Sequence, residues 1–516
     1  AKVLEDVNRL MLEYEELESD IQYQKYRLLH PEASREEFDK IAPPKLDIVY
    51  TDIPYAILHH LTTERNLYLT NLNAIKEVID SEKKPFKPVR PQFAKRLSMV
   101  NSSKIYGDIY QQAAFDLNQL DSIICSFSPA IRKPVSAQTK LIAKKFLREF
   151  VRSDLCTELP QMNAEPLKGP VPLTMKGPFY SSAPIQSLGG RACCKTISTY
   201  PPKVGSHTRM GDPVCDRYTL KIYENRIVSA LADGCSWGAR SRSAAKRACK
   251  SFTHYIEAHQ KKGNNLQEIA KIMLEGFACG HKDILETCED AIWEAGTTTL
   301  NGSILLKATP GDESMYKWVF LSCNLGDCKS FYYSTQTKKA RDITRNTRLD
   351  VQNSADPGGK LGPRDGEPKP DLRNLNIFWQ YCEEGDYIIV VTDGVYDNFD
   401  LRHQGYIPSD VGLEGSDWFT CAKDAAEVLN RRHVEEQITK ILSNIENKDL
   451  NADSICIALT QYCYNLTENT RQFMMENPTL RLPKDYSKYP GKVDHCTVVC
   501  YQVGNGGVSI DQWFGK

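Results

Sequence analysis

No stretch of this 516-residue sequence approaches the ~18 consecutive apolar residues that a membrane-spanning helix requires. It also lacks charge imbalance. The formal net charge is −1, so no global field draws the chain to nucleic acid or to an anionic membrane. The first residues, AKVLEDVNRLMLEYEE, are acidic and helical in pattern, unlike a signal peptide. The chain opens on Ala rather than Met, which allows a fragment of a longer protein. Cysteine is plentiful at 17 residues, but it lacks order: there is no CxxC and no Cys/His spacing that suggests zinc. The one adjacent pair is Cys193-Cys194. Buried reduced thiols in a cytoplasmic protein account for this most simply, and a nuclear location is compatible with it.

What remains is an ordinary globular composition, 41% hydrophobic and 25% charged, long enough for two or three domains. Residues 1–157 read as helix. Leu4, Val7, Met11, Tyr14, Leu17 and Ile21 recur every three or four residues, and Ile105, Ile109, Ala113, Leu117, Leu120 and Ile124 do the same. Prolines such as Pro85, Pro88 and Pro129 separate the stripes. The expectation is an all-α helical bundle that serves as an interaction or regulatory domain. Its fourth stripe, Ile142 to Phe150, carries Lys140, Lys144, Lys145, Arg148 and Arg152 on the opposite face, a surface suited to a protein partner or simply to solvent. Residues 158–190 are rich in Pro and Gly and lack apolar periodicity, which predicts an extended connector. From 191 to 516, strand-like and helix-like runs follow one another in groups, which favours an α+β sandwich.

Within that part, chemistry concentrates at strand ends. Tyr387 to Val391 is a continuous β-branched and aromatic run, read as a buried strand, and Thr392-Asp393-Gly394 follows it. Ile227 to Ala232 is a second apolar run, ended by Asp233-Gly234. Asp327 follows the run Val319-Phe320-Leu321, and Asp494 precedes Thr497-Val498-Val499. A single such Asp is a turn residue. Four together, with no matching basic cluster in the sequence, point to hard divalent cations, and oxygen ligands favour Mg²⁺ or Mn²⁺. The 33-residue polar stretch from Asp342 to Asn374 is too long for an ordinary connection and predicts a functional loop or flap.

The order of these motifs resembles the metal-dependent PP2C (PPM) family of serine/threonine protein phosphatases. Leu231-Ala232-Asp233-Gly234, Gly296-Thr297-Thr298-Thr299, Asn324-Leu325-Gly326-Asp327-Cys328-Lys329, Thr392-Asp393-Gly394-Val395-Tyr396-Asp397 and Asp494-His495-Cys496-Thr497-Val498-Val499 carry the likeness in sequence. It implies a PP2C-like α-β-β-α sandwich, preceded here by the all-α helical domain. It implies a two-metal site: Asp233 bridging both ions, Asp393 and Asp494 completing one shell, the Gly234 carbonyl on the other ion, and Asp327 at a third, weaker one. Two Mn²⁺ or Mg²⁺ ions would hold a hydroxide that attacks a phosphoserine or phosphothreonine of a phosphoprotein substrate. No nucleic acid and no membrane span enter this reading.

Three departures from the family pattern stand out. The first motif reads Thr208-Arg209-Met210-Gly211-Asp212-Pro213-Val214-Cys215-Asp216-Arg217, without the usual Glu-Asp pair. Asp216 matches its Asp best, with Asp212 as the other candidate, and Arg209 is the candidate phosphate-binding residue. Cys235 stands where many members carry a His that could protonate the leaving group. The flap keeps only Gly358-Gly359-Lys360-Leu361 of the family's insert. These departures support an alternative, a catalytically impaired pseudophosphatase acting as a binding or scaffold protein.

Overall fold

The computed structural model describes residues 149–504, without 169–171, 179–184, 204–207, 287–294, 311–316, 349–352, 365–366, 479, 481 and 484. The helical stripes expected between residues 1 and 148 lie outside the described residues. By internal contacts the chain divides into two units, Ala1–Ser136 and Ala137–Lys516.

In chain order the second unit contains β1 (Met162–Ala164), β2 (Leu173–Gly177), β3 (Gln186–Leu188), β4 (Ala192–Ser198), β5 (Arg217–Ile222), β6 (Arg226–Ala232) and the short β7 (Gly234–Cys235). Two long helices follow, α1 (Ala239–His259) and α2 (Leu266–Leu285). Then come β8 (Thr297–Thr298), β9 (Leu300–Pro310), β10 (Lys317–Leu325), β11 (Lys329–Ser334), β12 (Lys339–Asp342), β13 (Asn376–Cys382) and β14 (Tyr387–Val391). The chain continues through α3 (Asp393–Tyr396), α4 (Lys423–Ser443), α5 (Ala452–Leu466), α6 (Glu468–Glu476) and β15 (His495–Gln502).

The described strands form two large antiparallel sheets and a two-stranded one, β7–β8. One has the order β13-β10-β9-β6-β5-β2, with β1 also on β9; the other runs β12-β11-β14-β15-β4-β3. β5 and β6 form a hairpin in which Tyr218 faces Leu231 and Ile222 faces Ile227. The segment 158–190 is extended and lends β1 and β2 to the first sheet and β3 to the second.

Strand periodicity explains the layers. Along β14, Ile388 and Val390 point into the core between the sheets, with Leu220, Leu305, Phe320 and Val499. The alternate residues Tyr387, Ile389 and Val391 point the other way, against Val434, Ile438 and Leu442 of α4 and Ile455 and Leu459 of α5. Both faces are covered, so the run is apolar without alternation. On the outer face of the first sheet, Ala245, Ala248 and Phe252 of α1 and Ile269, Met273 and Phe277 of α2 pack on Val228, Ile304 and Val319. The result is an α-β-β-α sandwich, the fold class that the sequence implies. Among the described residues no helix is long and apolar enough to cross a membrane.

α5 and α6 are separate helices because the run is interrupted at Thr467, whose hydroxyl donates to the Cys463 carbonyl. Asn265 caps α2 by accepting from the Glu268 N–H. β4 and β13 carry no strong strand pattern of their own. They are strands because β15 and β10 present unpaired edges to them.

Candidate active site

Three strands and the loops beside them deliver carboxylates to one place. β6 ends at Ala232, and Asp233 follows. The Thr-Thr pair of the Gly-Thr-Thr-Thr motif grips its backbone: the Asp233 carbonyl accepts from the Thr298 hydroxyl at 2.7 Å and the Thr299 N–H at 2.8 Å, and its N–H donates to the Thr299 hydroxyl at 3.0 Å. Asp393 opens α3 directly after β14, and Asp494 immediately precedes β15. Both Asp-Gly glycines are required by close backbone approach. A Cβ on Gly234 would lie 2.5 Å from the Ser241 carbonyl oxygen, and one on Gly394 would lie 2.0 Å from that of His495.

Asp216, one residue before β5, is fully buried. Its Oδ2 accepts from the hydroxyls of Thr392 (3.0 Å) and Thr497 (2.6 Å), residues that flank Asp393 and Asp494. Asp212 instead caps a local turn by accepting from the Arg209 N–H at 2.6 Å. Asp216, and not Asp212, therefore faces the acidic group. Asp327, between β10 and β11, is also buried there.

Two cations that the sequence reading did not identify meet this group. The Nζ of Lys492 bonds to Asp393 Oδ2 and lies 3.0 Å from both Asp397 Oδ2 and Asp494 Oδ2. Arg348, from the expected flap, bonds to Asp397 and lies 3.3 Å from Asp327, with both partners almost fully buried. Asp397 was within reach of sequence reasoning. It stands four residues after Asp393, on the same side of a helical turn. Lys492 had no comparable signal beyond being a basic residue two positions before Asp494.

The charges do not balance locally. Among the described residues, Asp216, Asp233, Asp327, Asp393, Asp397 and Asp494 face only Lys492 and Arg348 through ion pairs. Burial, then the Asp494 and Asp393 carboxylates, push Asp216 up to about 8 against its hydroxyl donors. Asp327 is pushed up to about 7 by burial and by Asp393. Asp233 is held well above the usual carboxylate range by burial and by the charges of Asp393 and Asp216, with a hydrogen bond to Asp393. Burial also opposes ionisation of Asp393, but the Lys492 ammonium and the hydrogen bond from Asp233 hold it well below that range. Among the described residues, buried Asp216 Oδ1 and Asp393 Oδ1 meet no hydrogen-bond donor. An all-oxygen donor set with unpaired buried oxygens fits a hard divalent cation.

The other expected residues lie around this group. The Arg209 guanidinium donates to the Tyr200 carbonyl at 2.7 Å, and the Tyr200 hydroxyl reaches Asp494 Oδ1 at 3.2 Å. No ion pair joins Arg209 to the carboxylates among the described residues. Cys235 pairs with Thr297 across β7–β8, and burial followed by Asp327 pushes its thiol up to about 12. It is a neutral thiol at physiological pH. The exposed Trp237 donates to the Tyr200 hydroxyl at 3.0 Å. Asp397, Asp400 and His403 also place one ligand atom each within 4.8 Å of one another. Arg348 and Lys492 already engage Asp397, and the N–H and ring of His403 already engage Asp400.

Residues 205–443 match the family model described as protein phosphatase 2C. A PP2C-like domain-containing protein of Drosophila melanogaster, CG9801, is 30% identical over 217 residues, which is 40% of this chain and 28% of that protein. The chain thus matches little more than a quarter of that relative's length. Among solved structures, the photosystem II phosphatase PBCP aligns with 60% of this chain and 98% of its own at 13% identity and a TM-score of 0.33. The catalytic domain of the serine/threonine phosphatase PstP, solved with two manganese ions, aligns with 61% of this chain and 99% of its own at 12% identity and a TM-score of 0.31. The C-terminal part of this chain, around the matched residues 205–443, is a domain of the protein phosphatase 2C family.

Proposed function

We propose that this domain is a metal-dependent protein serine/threonine phosphatase. One observation carries the reading: Asp216, Asp233, Asp393 and Asp494 converge at one end of the sandwich, and Asp216 and Asp393 keep buried oxygens without donors. Asp233, the Gly234 carbonyl, Asp393 and Asp494 are the proposed ligands for Mn²⁺ or Mg²⁺, a donor set large enough for two ions, with Asp216 supporting them. Bound there, the ions would supply a nucleophile from water at neutral pH and neutralise the phosphoryl oxygens.

The chain's own residues do the rest. Thr298 and Thr299 fix the Asp233 backbone and so hold the Cα from which its carboxylate extends. Thr392 and Thr497 orient Asp216. Arg209 is the proposed phosphate-binding residue, brought to the rim by its bond to Tyr200. Cys235, a thiol that burial makes a weak acid, leaves proton delivery to the alcohol to solvent. The proposed substrate is a phosphoserine or phosphothreonine protein. The proposed organisation is a helical regulatory or partner-binding part over 1–157, a connector over 158–190 and this catalytic part from 191 onward, with a cytoplasmic location.

Hydrolysis of an aryl phosphate and of a phosphothreonine peptide by the full chain tests the proposal. Turnover should require added Mn²⁺ or Mg²⁺ and disappear in Asp393→Asn. Absence of turnover at every metal concentration would overturn it. One observation favours the alternative of an impaired, partner-binding phosphatase fold: the ammonium of Lys492 already sits between Asp393 and Asp494.

A further inference from the structure

Lys492 is placed by construction rather than by a loose surface contact. Its N–H donates to Asn398 Oδ1 at 2.9 Å, and its carbonyl accepts from Asn398 Nδ2 at 3.0 Å. Asn398 is fully buried and also donates to the Gly394 carbonyl at 2.7 Å. One amide side chain therefore clamps the Lys492 backbone to the turn that carries Asp393. The neighbouring Gly491 N–H donates to the His403 carbonyl at 2.7 Å. Gly491 has a φ of +84°, and a Cβ there would lie 2.7 Å from Asn398 Oδ1. A side chain at that position would push the clamp apart.

The side chain uses what the clamp provides. An ammonium has three donors. Here three carboxylates from three different residues, Asp393, Asp397 and Asp494, receive them. Two of the three are proposed ligands of one divalent ion. The Lys492 side chain is 21% exposed, so water does not screen these contacts as it would at an open surface. Arg348 repeats the device on the far side of Asp397, toward Asp327, the expected position of a third ion.

We infer that Lys492 is a tethered counter-ion that occupies the Asp393–Asp494 corner in place of a divalent cation, so that the unmodified domain binds one such ion, at Asp233 and Gly234, where its carboxylates could hold two. The inference rests on the metal site proposed above. It concerns how many ions the site accepts and not whether the site turns over phosphate. The physical reason is direct. A second dication at Asp393 and Asp494 would meet a positive charge that the Asn398 clamp keeps within hydrogen-bonding distance of the same oxygens.

Mn²⁺ titration of the full chain by calorimetry tests it, alongside Lys492→Met, Lys492→Arg and Asn398→Ala. The unmodified chain and Lys492→Arg should bind one ion. Lys492→Met should bind two, or bind Mn²⁺ at least about tenfold more tightly, a gain of ~1.4 kcal/mol. Asn398→Ala, which frees the lysine without removing it, should fall between. Thermal melts give a second readout. Mn²⁺ should raise the Tm of Lys492→Met more than that of the unmodified chain. If Lys492→Met fails to fold without metal, refolding it with Mn²⁺ present should recover it and would itself support the counter-ion role. Equal stoichiometry and affinity in the unmodified chain and Lys492→Met would overturn the inference, and so would no Mn²⁺ uptake by either. Two-ion binding by Lys492→Met without phosphate turnover would instead sink the phosphatase reading and leave the counter-ion standing.

Discussion

Two sides of one acidic group differ sharply. On one side, Asp393 and Asp494 share the Lys492 ammonium. On the other, Asp216 accepts from the Thr392 and Thr497 hydroxyls and Asp233 hydrogen-bonds Asp393, and among the described residues neither has a cationic partner in an ion pair. The residue type is the same and all lie within reach of one another's charge. Yet Asp393 stays well below the usual carboxylate range, while burial and its neighbours push Asp216 up to about 8. A cation within hydrogen-bonding distance decides the sign where burial is shared. The comparison teaches that a carboxylate cluster need not be uniform. One side is pre-neutralised by the chain, and the other carries the charge that an external cation would meet.

The largest effect that breaks this contrast is expected at Arg348. With its partners Asp327 and Asp397 it is almost fully buried. Arg348→Met leaves buried Asp397 on Lys492 alone and takes from buried Asp327 the cation it pairs with, and should cost about 3–5 kcal/mol in chemical denaturation without metal. A loss below about 1 kcal/mol would show that the second internal cation is dispensable.

Asp216→Asn sharpens the contrast through pH. The folded value of Asp216 lies above its unfolded value, so its favourable state is complete only below about 4. Stability from this group is lost as pH rises from about 4 toward 8. The metal-free Asp216→Asn protein should therefore gain Tm over the unmodified chain, and gain more at pH 8 than at pH 5. A gain that shrinks on raising pH would contradict the assignment.

A smaller effect of opposite sign supplies the control. His281, on α2, is buried away from the carboxylates, accepts from the Gly362 N–H at 3.1 Å and lies 3.2 Å from the Pro368 carbonyl. Burial pushes it down to about 4. Its contribution is present above about 6.5 and lost as pH falls toward 4, on the order of 2–4 kcal/mol in all. His281→Gln should flatten the acid limb of the stability profile and leave the Asp216 limb unchanged. An unchanged acid limb would mean that the ring is not held neutral in the folded chain.

Much of this arrangement was legible in the sequence. The runs before Asp233 and Asp393 are strands because both of their faces are covered. The Thr298-Thr299 pair reads as part of a strand motif, and its task proves to be gripping the Asp233 backbone. A glycine follows both Asp233 and Asp393, and the close approach that each permits is to the carbonyls of Ser241 and His495. Arg209 was assigned to phosphate, and what holds its guanidinium is the Tyr200 carbonyl. β13, at a sheet edge, was missed because its identity depends on register with β10 and not on its own pattern.

By itself the sequence determined the strands that bury both faces, the helices that cover them and the carboxylates at the strand ends. These follow from local periodicity and from the cost of leaving apolar surface in water. Only the tertiary structure decided which charges meet. Lys492 lies 99 residues from Asp393, and Arg348 lies 49 residues from Asp397. Coulomb energy depends on distance in space, and no spacing along the chain reports it until the sheets have stacked.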